Sequence, residues 1–335
     1  MHRLTVFALV MTCGAALAAP GPAARDRRAE ALEVELRAIA NTDGTVAATV
    51  IHLASGARAS VHGDARLPMM SVFKLPLALL MLREIDAGHR RLDEPVPLAE
   101  RELRPGVSPV AEAWARGDKA PTLEVVLRTA LIDSDNTSGD KLVTMLGGGA
   151  AITASLSALG ITGVAIAEQE IEISGRIDCA GARAPHAGWT PAEIARCHAA
   201  PAAVAAAVQH EIAAAPNAAS TDGLAALLVA IDGGRLLSPR SQQWLVEALA
   251  ATRLGSARLR AGLPAQTRLA HRTGTGETRG GINVATNDIG LVWLSDGSRL
   301  AIAVLTAGRR GDDAKREATI AAIARAAYAA FRAEP

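Results

Sequence analysis

Strand-like runs at both ends of the chain, separated by a long stretch with almost none, limit the possible folds more than any other feature. Thr45 to Leu53 and Arg58 to His62 are β-rich and turn through Ser55-Gly56, which reads as a hairpin. Near the other end the same grammar returns in Arg268 to Thr273, Asp288 to Leu294 and Arg299 to Leu305, the last two joined by Asp296-Gly297. Leu32, Leu36 and Ile39 repeat at helical spacing within Asp26 to Ala40, and Ile320, Ile323, Ala324, Ala327 and Phe331 share one face of a final helix. Between these ends, candidate helices cover Val72 to Ala87, Thr122 to Ser134, Asn136 to Met145 and Ala150 to Leu159. The expected fold is α/β and two-lobed. One antiparallel sheet, built from both termini and flanked by helices (26–66 and 215–335), receives an inserted all-helical lobe (67–214). The length of 335 residues, more than one core usually supports, agrees with two lobes, and a site is expected in the cleft between them.

Composition narrows the function. With 35 basic and 34 acidic residues the net charge is +1, and aromatics make up only 2% of the chain. A nucleic-acid binder would need a basic stripe and aromatic faces, so no nucleic acid is expected as partner. The eight histidines show no H-x-H or H-E-x-x-H spacing, and no metal or other cofactor is expected. Residues 1–18 read as an export signal: His2 and Arg3, an apolar run from Leu4 to Ala16, and Ala16-Leu17-Ala18 as a small-x-small cleavage site. The run is shorter than the roughly 20 residues a spanning helix needs, so no membrane association is expected after cleavage. Cys13 lies inside the signal, leaving Cys179 and Cys197. In an oxidising compartment these two can pair; otherwise they are two small buried hydrophobes.

Three short motifs carry the chemistry. Ser71-Val72-Phe73-Lys74 opens a strongly apolar helix, and a spacing of three places the ammonium on the same face as the hydroxyl. The free N–H groups and dipole of a helix start also suit a developing oxyanion. Alone, the motif is better read as a capping serine and a snorkelling lysine. With only four lysines in the chain, however, a chance match is less common than usual. Ser134-Asp135-Asn136 breaks the apolar pattern after a candidate helix, and Arg272-Thr273-Gly274-Thr275-Gly276 follows on a candidate strand. Each is weak by itself; the order and placement of all three are specific.

With these motifs the chain resembles the class A serine β-lactamases and the wider penicillin-recognising transpeptidase fold, whose signature is S-x-x-K, S-D-N and K-T-G. The segment RTGTGETRGGINVATNDIG and the following LVWLSDG are similar to the subgroup containing the PER and VEB enzymes. The resemblance implies that Ser71 attacks the lactam carbonyl while Lys74 helps remove its proton, the identity of the acylation base being disputed for the class. It further implies an oxyanion site at the backbone N–H groups of Ser71 and Thr275, and proton relay by Ser134. Asn136 would hydrogen-bond the substrate's acylamino group, with Asp135 a structural acceptor, and Arg272 and Thr273 would bind the ring carboxylate. Arg272 stands where lysine is usual, yet still offers a fixed cation. Arg258 takes the place of a helper arginine for that carboxylate, or is a solvated helix charge.

The water-activating glutamate of the family lies 36 positions after the S-D-N serine, which points to Glu170, with Glu168 and Glu172 as rivals if the register slips. Ser174 falls where an asparagine usually shares that water. From Glu170 to Arg272 the chain has roughly thirty positions more than its relatives, an atypical insertion at about 174–216 that contains both remaining cysteines. The implied activity is hydrolysis of penicillins, and by extension cephalosporins, by a monomeric periplasmic enzyme with a small-molecule β-lactam as its partner. The alternatives are a DD-peptidase-like hydrolase, which needs no such glutamate, and a non-hydrolytic penicillin-binding sensor, which needs an anchor.

Overall fold

The computed structural model describes residues 26–180, 191–197 and 199–332, so the expected export signal lies outside the described residues. The strands are β1 (Thr45–His52), β2 (Arg58–Val61), β3 (Leu67–Pro68), β4 (Val164–Ala165), β5 (Ala218–Ala219), β6 (Leu269–Thr275), β7 (Thr278–Arg279), β8 (Ile282–Trp293) and β9 (Arg299–Arg309). The helices are α1 (Arg27–Ala40), α2 (Lys74–Asp86), α3 (Pro109–Ala115), α4 (Leu123–Arg128), α5 (Asn136–Met145) and α6 (Gly149–Ala158). They continue with α7 (Glu170–Asp178), α8 (Pro191–Ala195), α9 (Pro201–Ala214), α10 (Thr221–Asp232), α11 (Pro239–Ala251) and α12 (Asp313–Phe331).

The sheet runs β2-β1-β9-β8-β6 with every pairing antiparallel, and β7 folds back onto β8. Both termini build it, as the end-loaded strand pattern requires. Its central strands read as nearly continuous apolar runs because both faces are covered. Leu300, Ile302 and Val304 of β9 pack with Leu32, Leu36, Ile320, Ile323 and Phe331 of α1 and α12. Ala301, Ala303 and Leu305, one residue out of phase, face the larger core shared with α2 and α10. Each Leu, Ile, Val or Phe among these contributes about 1.5–3 kcal/mol by leaving water. α2 is the buried axis of the helical lobe: Leu75, Leu77, Leu79 and Met81 are all fully enclosed. Pro76 is tolerated there because the first helical turn needs no intrahelical donor.

Two features differ from the reading of the sequence, and a third settles an alternative it left open. The middle of the chain also holds a miniature antiparallel sheet, β3-β5-β4, whose two-residue strands are too short to leave a periodic signal. β8 starts at Ile282 rather than Asp288, because Asn283, Thr286 and Asn287 are buried and hydrogen-bonded rather than exposed. The insertion contains α8 and α9, and Cys179, at the end of α7, is joined by a disulfide to Cys197, with a Cα–Cα distance of 5.0 Å. Closing a loop of that size contributes about 3 kcal/mol in the chain-entropy account. Limited proteolysis checks this: Cys197→Ser is expected to speed cleavage between residues 179 and 216 while the rest of the chain resists as before.

Candidate active site

The nucleophile motif is held by packing. Ser71 lies in a single 3-10 turn, Met70–Phe73, that runs directly into α2. Met70 before it has φ 46°, a left-handed conformation costly for a side-chain-bearing residue. The surrounding structure enforces it: Met70 is wedged among Ile173 and Ile177 of α7, Val208 of α9, and Val284 and Ala285 of β8. Lys74 begins α2 and is fully buried. Its Nζ donates to Ser71 Oγ at 3.1 Å, to the Ser134 carbonyl at 2.7 Å and to Asn136 Oδ1 at 2.8 Å, with Ser134 Oγ at 3.4 Å. Gly139 of α5 makes room for this ammonium, since a Cβ there would lie 2.7 Å from Lys74 Cε.

α4 loosens into a π turn at Thr129–Asp133, which Ser134 ends with φ 64°. Asp135 then caps α5 by accepting from Ser138 N at 2.8 Å and also holds Val110 N at 2.7 Å. From the sheet side, Arg272 Nη2 donates to Ser134 Oγ at 2.8 Å. The Ser134 hydroxyl therefore accepts from two cations, which leaves its own proton for a third partner. Burial pushes the Arg272 guanidinium down to about 9, so it stays charged near neutrality, and its Nε and Nη1 have no protein partner. β6 approaches the Ser71 turn so closely that a Cβ on Gly274 would sit 2.4 Å from the Met69 carbonyl.

Arg258 is 6% exposed, which excludes the solvated-charge alternative. It stands behind β6, donating to Gly274 O at 3.2 Å, Asn287 O at 3.0 Å and Thr275 Oγ1 at 2.7 Å, with Glu317 on its Nε at 3.0 Å. Thr273 is buried, Thr275 is exposed at the strand end, and Val107 is exposed while its carbonyl accepts from Asn136 N.

Glu170 is the first residue of α7, a position fixed from two sides. Asp140 of α5 accepts from Glu170 N at 2.6 Å and Ile171 N at 3.2 Å, and is itself paired with Arg104 at 2.5 Å. Asn217 accepts from Ala167 N and Glu168 N, donates to the Glu168 carbonyl, and offers its own carbonyl to Met69 N. One residue, through its side-chain amide and its backbone carbonyl, thus ties the segment before Glu170 to the segment before Ser71. Glu170 Oε2 is buried without a protein partner. Burial pushes this carboxyl up to about 7 against the pull of Lys74, and burial together with Arg272 brings Lys74 down to about 7. Each charge bears on the other's proton affinity, so the two protonate as a coupled pair. The rival glutamates are engaged elsewhere: Glu168 pairs with Arg176, and Glu172 accepts from Gln169 N at 2.9 Å. Ser174 lies one turn after Glu170, half-buried on the same helix.

Asp140, Arg104, Asn217 and Arg176 were not singled out in the sequence. Asn217, a lone amide in an alanine-rich run, left the one local sign.

The family model described as the beta-lactamase enzyme family matches residues 30–331. Among curated relatives, the extended-spectrum beta-lactamase PER-1 of Pseudomonas aeruginosa is 28% identical over 78% of this chain and 75% of its own length. Beta-lactamase VEB-1 of the same organism is 28% identical over 79% and 78%. Among solved structures, an ancestral class A beta-lactamase (GNCA) superposes with a TM-score of 0.71 at 30% identity, covering 91% of this chain and 100% of that one.

Proposed function

The chain belongs to the beta-lactamase enzyme family, and from that membership we propose how its residues carry out β-lactam hydrolysis through a serine acyl-enzyme. The observation that carries the reading is Lys74 Nζ, which meets Ser71 Oγ, Ser134 and Asn136 at once from a fully buried position. Ser71 Oγ attacks the lactam carbonyl carbon and gives its proton to the Lys74–Glu170 pair, while the backbone N–H groups of Ser71 and Thr275 hold the oxyanion. The C–N bond then breaks, and the nitrogen takes the outward proton of Ser134, which is resupplied from Lys74. Glu170 next removes a proton from water, the resulting hydroxide attacks the ester, and Ser71 Oγ leaves with a proton returned to it. Asn136 binds the acylamino group. Arg272 acts on the ring carboxylate by its field from below Ser134, Thr273 and Thr275 by hydrogen bonds, and Arg258 by orienting Thr275.

Penicillins are the substrates proposed, with cephalosporins as an extension. The signal-like pattern read in residues 1–18 and the disulfide support export to the periplasm, where thiols are oxidised, and the enzyme is proposed to act there as a monomer. No described helix is long and apolar enough to cross a membrane.

Mixing the mature protein with a penicillin while following intact mass and lactam absorbance tests the reading. Loss of absorbance with at most a transient adduct is expected; a stable adduct would mean a peptidase or sensor. The same assay carries a pH prediction. Glu170 must be ionised to deprotonate water, and its pKa is raised above the ordinary 4.5 chiefly by burial. The acidic limb of kcat should therefore lie above the usual carboxylate range, and adduct should build up as pH falls through it. A limb at an ordinary glutamate pKa would remove Glu170 from this step.

A further inference from the structure

We propose that Arg176 is a positioning residue for hydrolysis of the acyl-enzyme, and that the inserted helix α9 belongs to the hydrolytic machinery because its Glu211 completes the clamp. The inference rests on the reading that Glu170 activates the water. Arg176 lies on α7 six residues after Glu170. Its Nη1 donates to Glu168 Oε1 at 3.0 Å, its Nη2 pairs with Glu168 Oε2, and its Nε donates to Glu211 Oε2 at 3.3 Å. One planar guanidinium thus grips the residue two before Glu170 with one edge and α9 with the other, a geometry that an ammonium cannot reproduce.

The Glu211 side chain is only 1% exposed, and that of Arg176 only 16%. Removing Arg176 leaves two carboxylates without their cation, one of them inside the protein, and a buried charge stripped of its partner is strongly destabilising locally. The consequence reaches the site because Glu168 stands two residues before Glu170, and Glu211 meets the same guanidinium from α9. Asp140 holds the backbone of Glu170 and Ile171, and Asn217 holds that of Ala167 and Glu168. Gln169 is held by Arg104 and Thr144 through its side chain and by Glu172 through its N–H. The Glu168 side chain is a further handle on this segment, the one that links it to α9, and Arg176 occupies it.

α9 is also not peripheral to the nucleophile. Its Val208 packs in the same cluster as Ile173 and Ile177 of α7 and Met70, the residue next to Ser71. The polar clamp and this apolar contact lie on the same α7–α9 interface, so α9 forms the base on which the Glu170 helix rests. A displacement of about 1 Å at a reacting group can cost on the order of 100-fold in rate, so a clamp that only orients can still matter kinetically.

The test separates the two chemical steps. With mature protein and a penicillin, the rates of adduct formation and adduct decay are measured by intact mass for Arg176→Ala, Glu211→Ala and the double variant, with Glu170→Ala as reference. Arg176→Ala is expected to slow decay about 30-fold while formation changes less than about threefold, and the double variant should be little slower than Arg176→Ala, because both substitutions remove one contact. Arg176→Lys, which keeps the charge and loses the fork, should recover decay only in part. It also serves if the alanine variant does not fold, in which case unchanged decay in Arg176→Lys overturns the proposal. Equal slowing of both steps, unaltered decay, or multiplying effects in the double variant would each overturn it as well. If Glu170→Ala itself fails to accumulate adduct, the reading of Glu170 falls first; if it traps adduct and Arg176→Ala does not, only the clamp is wrong.

Discussion

Ser71→Ala is expected to abolish covalent labelling by penicillins and to lower turnover by at least about 10⁴-fold, with the thermal midpoint almost unchanged. The hydroxyl is the atom on which the acyl group would sit, and no neighbour can substitute for it: Ser134 Oγ is already held by Arg272 and Lys74. Removing one oxygen from a partly exposed residue opens almost no cavity, and the turn around Ser71 is fixed by Met70, Val72 and Phe73, all buried. Intact mass after incubation with a penicillin, together with a melting curve, reads both halves of the expectation. A residual adduct on the alanine variant would move the nucleophile elsewhere.

Glu170→Ala should give the second large effect, with the opposite signature. The acyl-enzyme is expected to form, partly slowed, and then to persist, so that a burst of lactam consumption equal to the enzyme present is followed by almost none. The cause is local. Among the described residues Glu170 is the carboxylate with a buried oxygen left unbonded by the protein, and burial has already raised its affinity for a proton. Glu172→Ala should not trap adduct, because its carboxylate is spent on the Gln169 N–H at the start of α7. Glu168→Ala should slow decay only in part, through Arg176. A stall at Glu172 with normal turnover in Glu170→Ala would mean that the register is wrong by two residues. If neither stalls, the base comes from elsewhere in the chain.

Much of the site was legible in the sequence because its chemistry is written in short spacings. Ser71 and Lys74 meet by the pitch of one helical turn, and the cap at Asp135 follows from an acidic residue placed just before a helix. Arg258 could not be decided in the same way. Its charge, its neighbours in sequence and its helical setting suit a solvated arginine equally well, and only the approach of β6 and α12 encloses it.

The sequence by itself determined the end-loaded antiparallel sheet, the helical insertion and the three separate motifs, since each depends on local periodicity or on spacing within a turn; that the motifs face one another is a tertiary fact, made by contacts such as Lys74 to Ser134 and Arg272 to Ser134. Only the tertiary structure decided which of three closely spaced glutamates keeps a buried carboxylate oxygen free of protein partners. It alone showed that Asp140 and Asn217 fix the backbone around Glu170, and that Glu211 reaches Arg176 from an inserted helix. These contacts join residues 30 to 50 positions apart. A buried polar group takes whichever partner the fold brings within about 3 Å, and the free energy that selects it is the cost of leaving that group unpaired, a quantity with no local signature along the chain.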